Sequence, residues 1–293
     1  MDGPGAGFRW PAGYQAAASL TFDVDAESAV LSADPAAASR ASLMSHQAYG
    51  PLAGVPRLLA MLERHQVRAT FFVPGYTAHR YPEVIRSILK AGHELGHHGY
   101  LHEPLTGADE ETEIGYLDRG LAALAEVTGT RPAGYRAPMW ELNYRSPALL
   151  AARGFRYDSS LMDGDVPYRI TCSDGPRAAT LIEMPIHWGL DDWEQYAYLP
   201  GVSGTGLIES PAKTLEMWTL ELEAMHACGG HFILTAHPFL SGRPARTAVL
   251  ERLIERMRDL GRLWIASLDE VAAHAESLDL PPRRLEPPTL PPS

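Results

Sequence analysis

The sequence predicts an α/β fold in which about seven or eight parallel strands form a distorted barrel with helices outside it. Two observations support this fold class. Apolar segments typical of buried strands alternate with amphipathic segments typical of helices, and this alternation favours parallel strands in a barrel or a doubly wound sheet. Reactive side chains also recur where the strands end, and the carboxyl ends of the strands form the active face of such barrels.

The predicted strands are short apolar segments bounded by turn-forming residues. They cover residues 16–22, 69–73, 134–136, 155–157, 180–186, 231–236 and 263–266, with a further short strand from His93. Helices are predicted from Gly54, over 82–91, 109–127, 146–153, 210–227 and 246–260, and from Leu268. Residues 26–53 have no clear periodicity, so we expect a long loop there, and such loops are usually functional or mobile.

The chain has 293 residues, and a barrel of this kind can reach about 250 residues as one domain. We therefore expect one domain over residues 1–280. Residues 281–293 are rich in proline, which predicts an extended, mobile tail rather than a packed element.

Composition excludes several classes of protein. Hydrophobic residues make up 45% of the chain and charged residues 21%, as in an ordinary globular protein. A net charge of −11 argues against nonspecific binding to nucleic acid or to an anionic membrane, because both need a basic surface. The N-terminus lacks the pattern of a secretory signal, and no run of eighteen apolar residues occurs, so we expect a cytoplasmic protein.

The densest histidine cluster contains His98 and His102. Two imidazoles four residues apart can face one metal ion if the backbone makes one helical turn. Asp23 and Asp25 follow the first predicted strand, and one of these carboxylates can supply the third ligand while the other accepts a proton from the attacking water. Two histidines and a carboxylate leave coordination positions open on zinc, where the pKa of a bound water falls to about 7.

Other candidate residues also follow predicted strands. Arg136 can orient a carboxylate through its planar guanidinium, which lysine cannot do. His237 can donate a proton to a departing nitrogen, and a buried acid such as Asp158 can raise its pKa for that task. Trp188, Trp140 and Asp192 are predicted to contact the substrate, because aromatic rings often form the walls of such pockets.

Together these segments resemble the polysaccharide deacetylase family with the NodB homology domain, carbohydrate esterase family 4, whose fold is a distorted (β/α) barrel. The resemblance lies in five motifs in the family's order, at residues 21–25, 98–102, 136–138, 158–160 and 234–237. It implies that Asp23 is the general base and that Arg136 positions it. The metal ligands that it implies are Asp25, His98 and His102, and the last motif supplies His237 as the acid.

Two further segments, 183–192 and 237–246, resemble a cytoplasmic branch that includes the Helicobacter-type peptidoglycan deacetylase, cyclic imide hydrolases and a metal-independent allantoinase-like group. In this chain Val24 separates two aspartates that are adjacent in typical polysaccharide-acting members, and Gly99 stands where serine or threonine is usual. The branch implies homotetramers with small, closed pockets.

The leading hypothesis is therefore a metal-dependent N-deacetylase that acts on an amino sugar or another small molecule. Zinc is the expected ion, although cobalt and nickel accept the same ligands. The alternative is ring opening of a cyclic imide or ureide. More remote are a non-haem iron oxygenase, which uses similar ligands, and a metal-free binding protein.

Overall fold

The fold is organised around a central strand, β1 (Ala16–Asp23), whose eight residues are all buried. The computed structural model describes residues 7–172, 179–204 and 207–289. The other strands within these ranges are β2 (Thr70–Val73), β3 (Glu94–His97), β4 (Gly134–Tyr135), β5 (Tyr157–Asp158), β6 (Tyr168–Thr171), β7 (Thr180–Glu183), β8 (Tyr198–Leu199), β9 (Ser203–Gly204), β10 (His231–Ala236), β11 (Leu263–Ile265) and β12 (Pro282–Arg284).

Helices connect most of these strands and cover the sheet. They are α1 (Ser28–Ala33), α2 (Ala41–Tyr49), α3 (Val55–Arg64), α4 (Gly75–Arg80), α5 (Pro82–Lys90), α6 (Glu110–Thr128), α7 (Ser146–Ala152), α8 (Trp193–Tyr196), α9 (Pro211–Cys228), α10 (Pro238–Ser241), α11 (Pro244–Asp259) and α12 (Leu268–Ser277). Several of the longer helices bury one apolar stripe, as the spacing of their apolar residues predicts. In α3, for example, Leu58, Met61 and Leu62 are completely buried.

Ten strands form one sheet in the order β10-β1-β2-β3-β4-β5-β7-β6-β12, with β11 paired to β1. The pairs from β10 to β7 along this order are parallel, as is the pair β1 and β11, whereas β6 runs antiparallel to β7. The prediction of an α/β barrel with seven or eight parallel strands is therefore confirmed.

The barrel is distorted at β1. Residues 17–18 pair with β10 and also with β11, and residues 21–22 pair with β10 and also with β2. Because a strand has only two edges, β11 and β2 must share the edge of β1 opposite β10. Farther along the chain, Asp191 forms a parallel bridge with Thr235 on β10, so the segment after β7 returns to the other end of the sheet.

Two predictions were wrong. Residues 26–53 were expected to form a long loop, but they contain α1, α2, a 3₁₀ turn at Pro35–Ser39 and a π turn at Gly50–Gly54. These elements are too short to show a helical period in the sequence. The tail at residues 281–293 was expected to be extended and mobile rather than packed. It is extended, but β12 pairs with β6, and Arg283 forms an ion pair with Asp163; residues 290–293 lie outside the described residues.

Proline lacks the amide hydrogen that a central strand needs, but an edge strand can accommodate it. The sheet therefore extends beyond residue 280.

Within the described residues, none of the helices combines the length and the apolar content needed to cross a membrane.

Candidate active site

A cavity of about 290 Å³ opens at the carboxyl ends of the central strands. Its polar wall comes from the ends of β1 and β10 and from the loop after β3. The acids and histidines that line it include Asp23, Asp25, His98, His102 and His237. The parallel arrangement brings these side chains together, because parallel strands place their carboxyl ends at one edge of the sheet.

Asp23 is held by Arg136, which is completely buried. One terminal nitrogen of the guanidinium donates to Asp23 Oδ1 at 2.9 Å and to Thr21 Oγ1 at 2.8 Å. The other donates to Ser159 Oγ at 3.0 Å, and Nε donates to the Ser159 carbonyl at 3.1 Å. Burial alone would raise the pKa of Asp23, but Arg136, together with the imidazoles of His98 and His237, outweighs burial and lowers that pKa below its usual value.

Asp25, His98 and His102 converge, with one possible ligand atom from each lying within 4.8 Å of the others. Asp25 Oδ1 lies 3.5 Å from His98 Nε2, and Asp25 Oδ2 lies 3.7 Å from His102 Nε2. Both carboxylate oxygens are buried and have no hydrogen-bond partner among the described residues. Ligand atoms around a tetrahedral zinc ion are spaced similarly, about 3.4 Å apart, so these residues fit a divalent ion.

The tautomer of His98 also suits a metal ligand. Its Nδ1 lies 2.8 Å from the carbonyl oxygen of Arg136. Because a carbonyl can only accept a hydrogen bond, Nδ1 carries the proton and the lone pair of Nε2 points towards Asp25. This partner is typical of metal-binding histidines, whose second nitrogen is usually fixed by a carbonyl or a carboxylate.

The spacing of His98 and His102 had predicted a shared helical turn, but the two histidines do not lie on a helix. Residues 98–109 form an irregular loop, in which Gly99 and His102 have positive φ angles of 72° and 59°. The Glu103 carboxylate accepts hydrogen bonds from the amides of Tyr100 and Leu101 at 3.0 and 2.8 Å. A Cβ at Gly99 would also lie 3.1 Å from the Pro138 ring, so this turn requires glycine.

His237 pairs with Asp192 rather than with the predicted Asp158. Its Nδ1–H donates to Asp192 Oδ1 at 2.7 Å, and Nε2 lies 3.6 Å from Asp25 Oδ2. Burial alone would lower the pKa of His237, but the carboxylates of Asp191 and Asp192 raise it to about 10. A protonated imidazole at neutral pH is the form that can donate a proton.

Asp192, which was predicted to contact the substrate, is not among the described residues that line the cavity. Both of its carboxylate oxygens are hydrogen-bonded within the protein, to the amide and the ring of His237 and to the Ser241 hydroxyl. Its neighbour Asp191 lines the cavity instead. Burial raises the pKa of Asp191 to about 8.

Asp158 lies away from His237, at the end of β5, in register with Glu183 on β7. Burial raises the pKa of Asp158 to about 6 and that of Glu183 well above its usual value, and the two carboxyl groups face each other. Asp158 also accepts from the Ser160 hydroxyl at 2.8 Å. The pair therefore supports the 159–160 turn that binds Arg136, and no hydrogen bond or ion pair within the described residues connects Asp158 to His237.

Tryptophans form the outer wall of the cavity. The rings of Trp140 and Trp188 are stacked, with centroids 4.3 Å apart and an interplanar angle of 14°. Trp188 remains 42% exposed. Met139 and Trp140 both adopt positive φ angles, 57° and 55°, a backbone conformation that is enriched at functional sites when it occurs at non-glycine residues. Trp140 and Trp188 both line the cavity.

Another wall of the cavity was not predicted from the sequence. It comes from α1 and from β8, with Val30, Ala33 and Leu199 facing the cavity. The α1 side could not be predicted once residues 26–53 were interpreted as a loop. The only available signal was the apolar segment Ala29–Leu31, too short to indicate a helix.

Comparisons with known proteins agree with this geometry. A family model described as polysaccharide deacetylase matches residues 48–157. The peptidoglycan deacetylase of Helicobacter pylori is 29% identical over 242 residues, covering 75% of this chain and 82% of that protein. A crystal structure from Mycobacterium smegmatis, named provisionally as a polysaccharide deacetylase, is 55% identical, covers 99% of both chains and has a TM-score of 0.94.

The structure of the allantoinase PuuE has a TM-score of 0.80 over 95% of both chains at 23% identity, and this likeness concerns the fold alone. The match to the Mycobacterium smegmatis structure over nearly the whole chain, together with the family model, confirms the family that the five motifs predicted. The chain therefore belongs to the polysaccharide deacetylase family, whose members are hydrolases of carbon–nitrogen amide bonds.

Proposed function

We propose that this protein removes the acetyl group from an N-acetylated amino sugar, with a divalent ion held by Asp25, His98 and His102. The observation that carries the proposal is the Asp25 carboxylate. Its two buried oxygens have no hydrogen-bond partner among the described residues, and each faces an imidazole nitrogen at 3.5 or 3.7 Å. A buried carboxylate without partners is costly, and a cation removes that cost.

A bound divalent ion would act as a Lewis acid and lower the pKa of water to about 7. Asp23 is the proposed general base. Its carboxylate is ionised at neutral pH because Arg136 lowers its pKa, and the 2.9 Å hydrogen bond to Arg136 fixes its orientation. Asp23 Oδ2 remains turned towards His98, 3.9 Å from Nε2, so that oxygen is available to accept a proton.

His237 is the proposed general acid, on the other side of Asp25. Its Nδ1–H is bound to Asp192, and its Nε2–H points into the cavity. Proton transfer from Nε2 to the departing nitrogen would release a neutral amine as the carbon–nitrogen bond breaks. Trp188 and Trp140 are proposed to contact the apolar face of the sugar.

Acetate release from N-acetylglucosamine oligomers tests this proposal. We expect release by the purified protein, loss after a chelator removes the ion, and recovery when zinc, cobalt or nickel is added back. Zinc is the proposed native ion. Unchanged acetate release after complete removal of the metal would refute the metal-dependent mechanism.

A second candidate is the ring opening of a cyclic imide or ureide. It is favoured by the cavity volume of about 290 Å³, just below the range for small-molecule pockets, about 300–1,000 Å³. Parallel assays with succinimide and with N-acetylglucosamine oligomers distinguish the two. Activity on rings alone would replace the deacetylase proposal.

Two further features follow from the branch of the family that the chain resembles. We propose a homotetramer located in the cytoplasm. Light scattering on the purified protein tests the assembly, and a mass other than four chains would reject it. Fractionation of the native cells tests the location.

A further inference from the structure

A second cavity, of about 480 Å³, lies on the other side of β8 from the candidate active site. Leu199 on β8 lines the active-site cavity, whereas its neighbour Tyr198 lines the second cavity. The basic residues of the second cavity are Arg40, His46, Arg243 and Arg246, which we call the basic cluster. None of the described residues that line this cavity is acidic, in a chain with a net charge of −11.

Two of these arginines stand at the start of α11. Arg243 is the N-cap residue of this 16-residue helix, and Arg246 lies three residues later. The first turn has no acidic residue, and no side chain caps it. The positive end of a helix dipole disfavours cations and favours anions. A bound anion would therefore offset the repulsion between the two arginines and the start of the helix.

Within the described residues, no carboxylate forms an ion pair with a member of the basic cluster. Arg243 packs over the Tyr49 ring at 3.5 Å, and within the described part of the chain its guanidinium forms neither a hydrogen bond nor an ion pair. Arg246 donates to the Leu240 carbonyl at 3.2 Å. Asp192 is near enough to favour the charge of Arg246, but its oxygens are bound to His237 and Ser241.

The crowding of positive charge affects His46. Burial lowers the pKa of its imidazole, and the neighbouring charges of Arg243 and Arg246 lower it further. A neutral imidazole beside two guanidinium groups can still donate one hydrogen bond to an anion. This effect is consistent with a cluster whose positive charge is not neutralised by the protein itself.

A buried hydroxyl provides further support. Tyr196 lines the second cavity and is only 1% exposed. Its hydroxyl makes no hydrogen bond of normal length and angle within the described residues, although the Thr214 side chain lies close to it. A buried hydroxyl without a well-aligned partner costs free energy, and a ligand oxygen in the cavity would satisfy it.

We propose that this cavity binds the oxyanion group, a phosphate or a carboxylate, of a small organic molecule. Guanidinium groups recognise both anions through paired hydrogen bonds, and Arg243 has its donors available. The rest of the ligand contacts the apolar part of the wall, where Leu43 and Ile208 lie. This site is separate from the proposed metal site, so its occupancy does not depend on the hydrolytic reaction.

Calorimetry on the full chain tests the site, with inorganic phosphate, phenyl phosphate and benzoate as probes at constant ionic strength. We expect saturable binding of phenyl phosphate or benzoate, and the stronger of the two identifies the preferred oxyanion. Arg243→Gln should weaken binding by about tenfold or more, as expected when a hydrogen bond to a charged group is lost. Tyr196→Phe should weaken it less, about threefold.

Arg252→Gln is the matched control, because Arg252 lies on the same helix, is exposed and does not line the cavity. It should bind the probes as the wild type does. Equal weakening by Arg243→Gln and Arg252→Gln, or no saturable binding of any probe to the wild type, would overturn the proposal. If no probe binds and Arg243→Gln changes the oligomeric mass, the basic cluster is a contact between subunits instead.

Discussion

The candidate active site contains two clusters of buried aspartates and histidines. The first consists of Asp25, His98 and His102, and the second of Asp191, Asp192 and His237. The two clusters differ in the hydrogen-bond partners of their carboxylates. Asp25 has no hydrogen-bond partner among the described residues, and its oxygens stand 3.5–3.7 Å from His98 and His102. Asp192 is in direct contact with His237 Nδ1 at 2.7 Å and also binds the His237 amide. The first group leaves room for an ion, and the second does not.

Residue type alone does not distinguish these two groups, since either set of buried side chains has its ligand atoms close enough to hold a metal. Hydrogen bonding does distinguish them. A buried carboxylate that faces two imidazole nitrogens and has no hydrogen-bond partner is stabilised by a cation, whereas a carboxylate bound to an imidazole N–H orients the ring and raises its pKa. This difference supports the proposal of metal binding for the first group and proton donation for the second.

The largest expected effect is on metal content. His98→Ala and His102→Ala should each reduce the bound ion to near zero, because a metal site loses most of its affinity with one ligand of three. Asp192→Asn should bind the ion as the wild type does. Metal analysis by mass spectrometry checks this contrast, and full occupancy in both alanine variants would contradict the assignment.

Next in size is the effect of removing the proposed base. Asp23→Asn should lower kcat by about 10²–10⁴, the usual contribution of general base catalysis, while the bound ion remains. The amide still accepts a hydrogen bond from Arg136, so the change tests basicity more than packing. Steady-state kinetics with metal analysis of the same sample measures both, and an unchanged kcat would exclude Asp23 as the base.

A smaller effect concerns pH. The Asp191 and Asp192 carboxylates raise the pKa of His237 to about 10, so the acid form should persist into alkaline solution. Asp192→Asn removes one negative charge and should lower this pKa, moving the alkaline limb of the kcat/KM profile to lower pH.

Ser241→Ala is the matched control for that shift. It removes a hydrogen bond to Asp192 but leaves the charge, so the alkaline limb should move little. A limb that stays in place in Asp192→Asn would show that His237 does not govern it.

The last expected effect is on the pH dependence of stability. It concerns His231, a histidine that is buried without a carboxylate partner. Burial lowers the pKa of His231 to about 3, and its Nε2 lies 2.8 Å from the Ser19 hydroxyl. The unfolded state, with a pKa near 6.5, gains the proton first as the pH falls. Stability is therefore retained above about pH 6.5 and lost below it, by up to about 1.4 kcal/mol per pH unit from this residue.

His231→Gln should remove that contribution and make the free energy of unfolding less dependent on pH between about 6.5 and 3. Urea denaturation of both proteins across this interval provides the measurement. Identical slopes would mean that His231 is not held neutral in the folded state.

The strands around β1 could be predicted from the sequence because they are largely apolar and buried on both faces. The proximity of the His98 and His102 side chains was also predicted, but the backbone conformation of the loop that carries them was not. That loop depends on Glu103 accepting from two amides and on a positive φ at Gly99, and neither produces a periodic pattern.

The partner of His237 could not be predicted for a different reason. Asp158 and Asp192 both lie near the end of a predicted strand, and the sequence does not reveal which strands are neighbours. In the sheet β10 lies five places from β5, whereas the segment that carries Asp192 returns to β10, where the Asp192 amide donates to the Thr235 carbonyl at 3.1 Å. Topology, rather than residue type, selects the pair.

The short strand β12 forms one end of the sheet. An exposed sheet edge can recruit strands from other molecules and start aggregation, and proline or charged residues on the outermost strand prevent it. Here that strand consists of Pro282, Arg283 and Arg284. The segment that reads as a dispensable tail thus shields β6 from intermolecular pairing, and a chain shortened before residue 281 should lose solubility before it loses its fold.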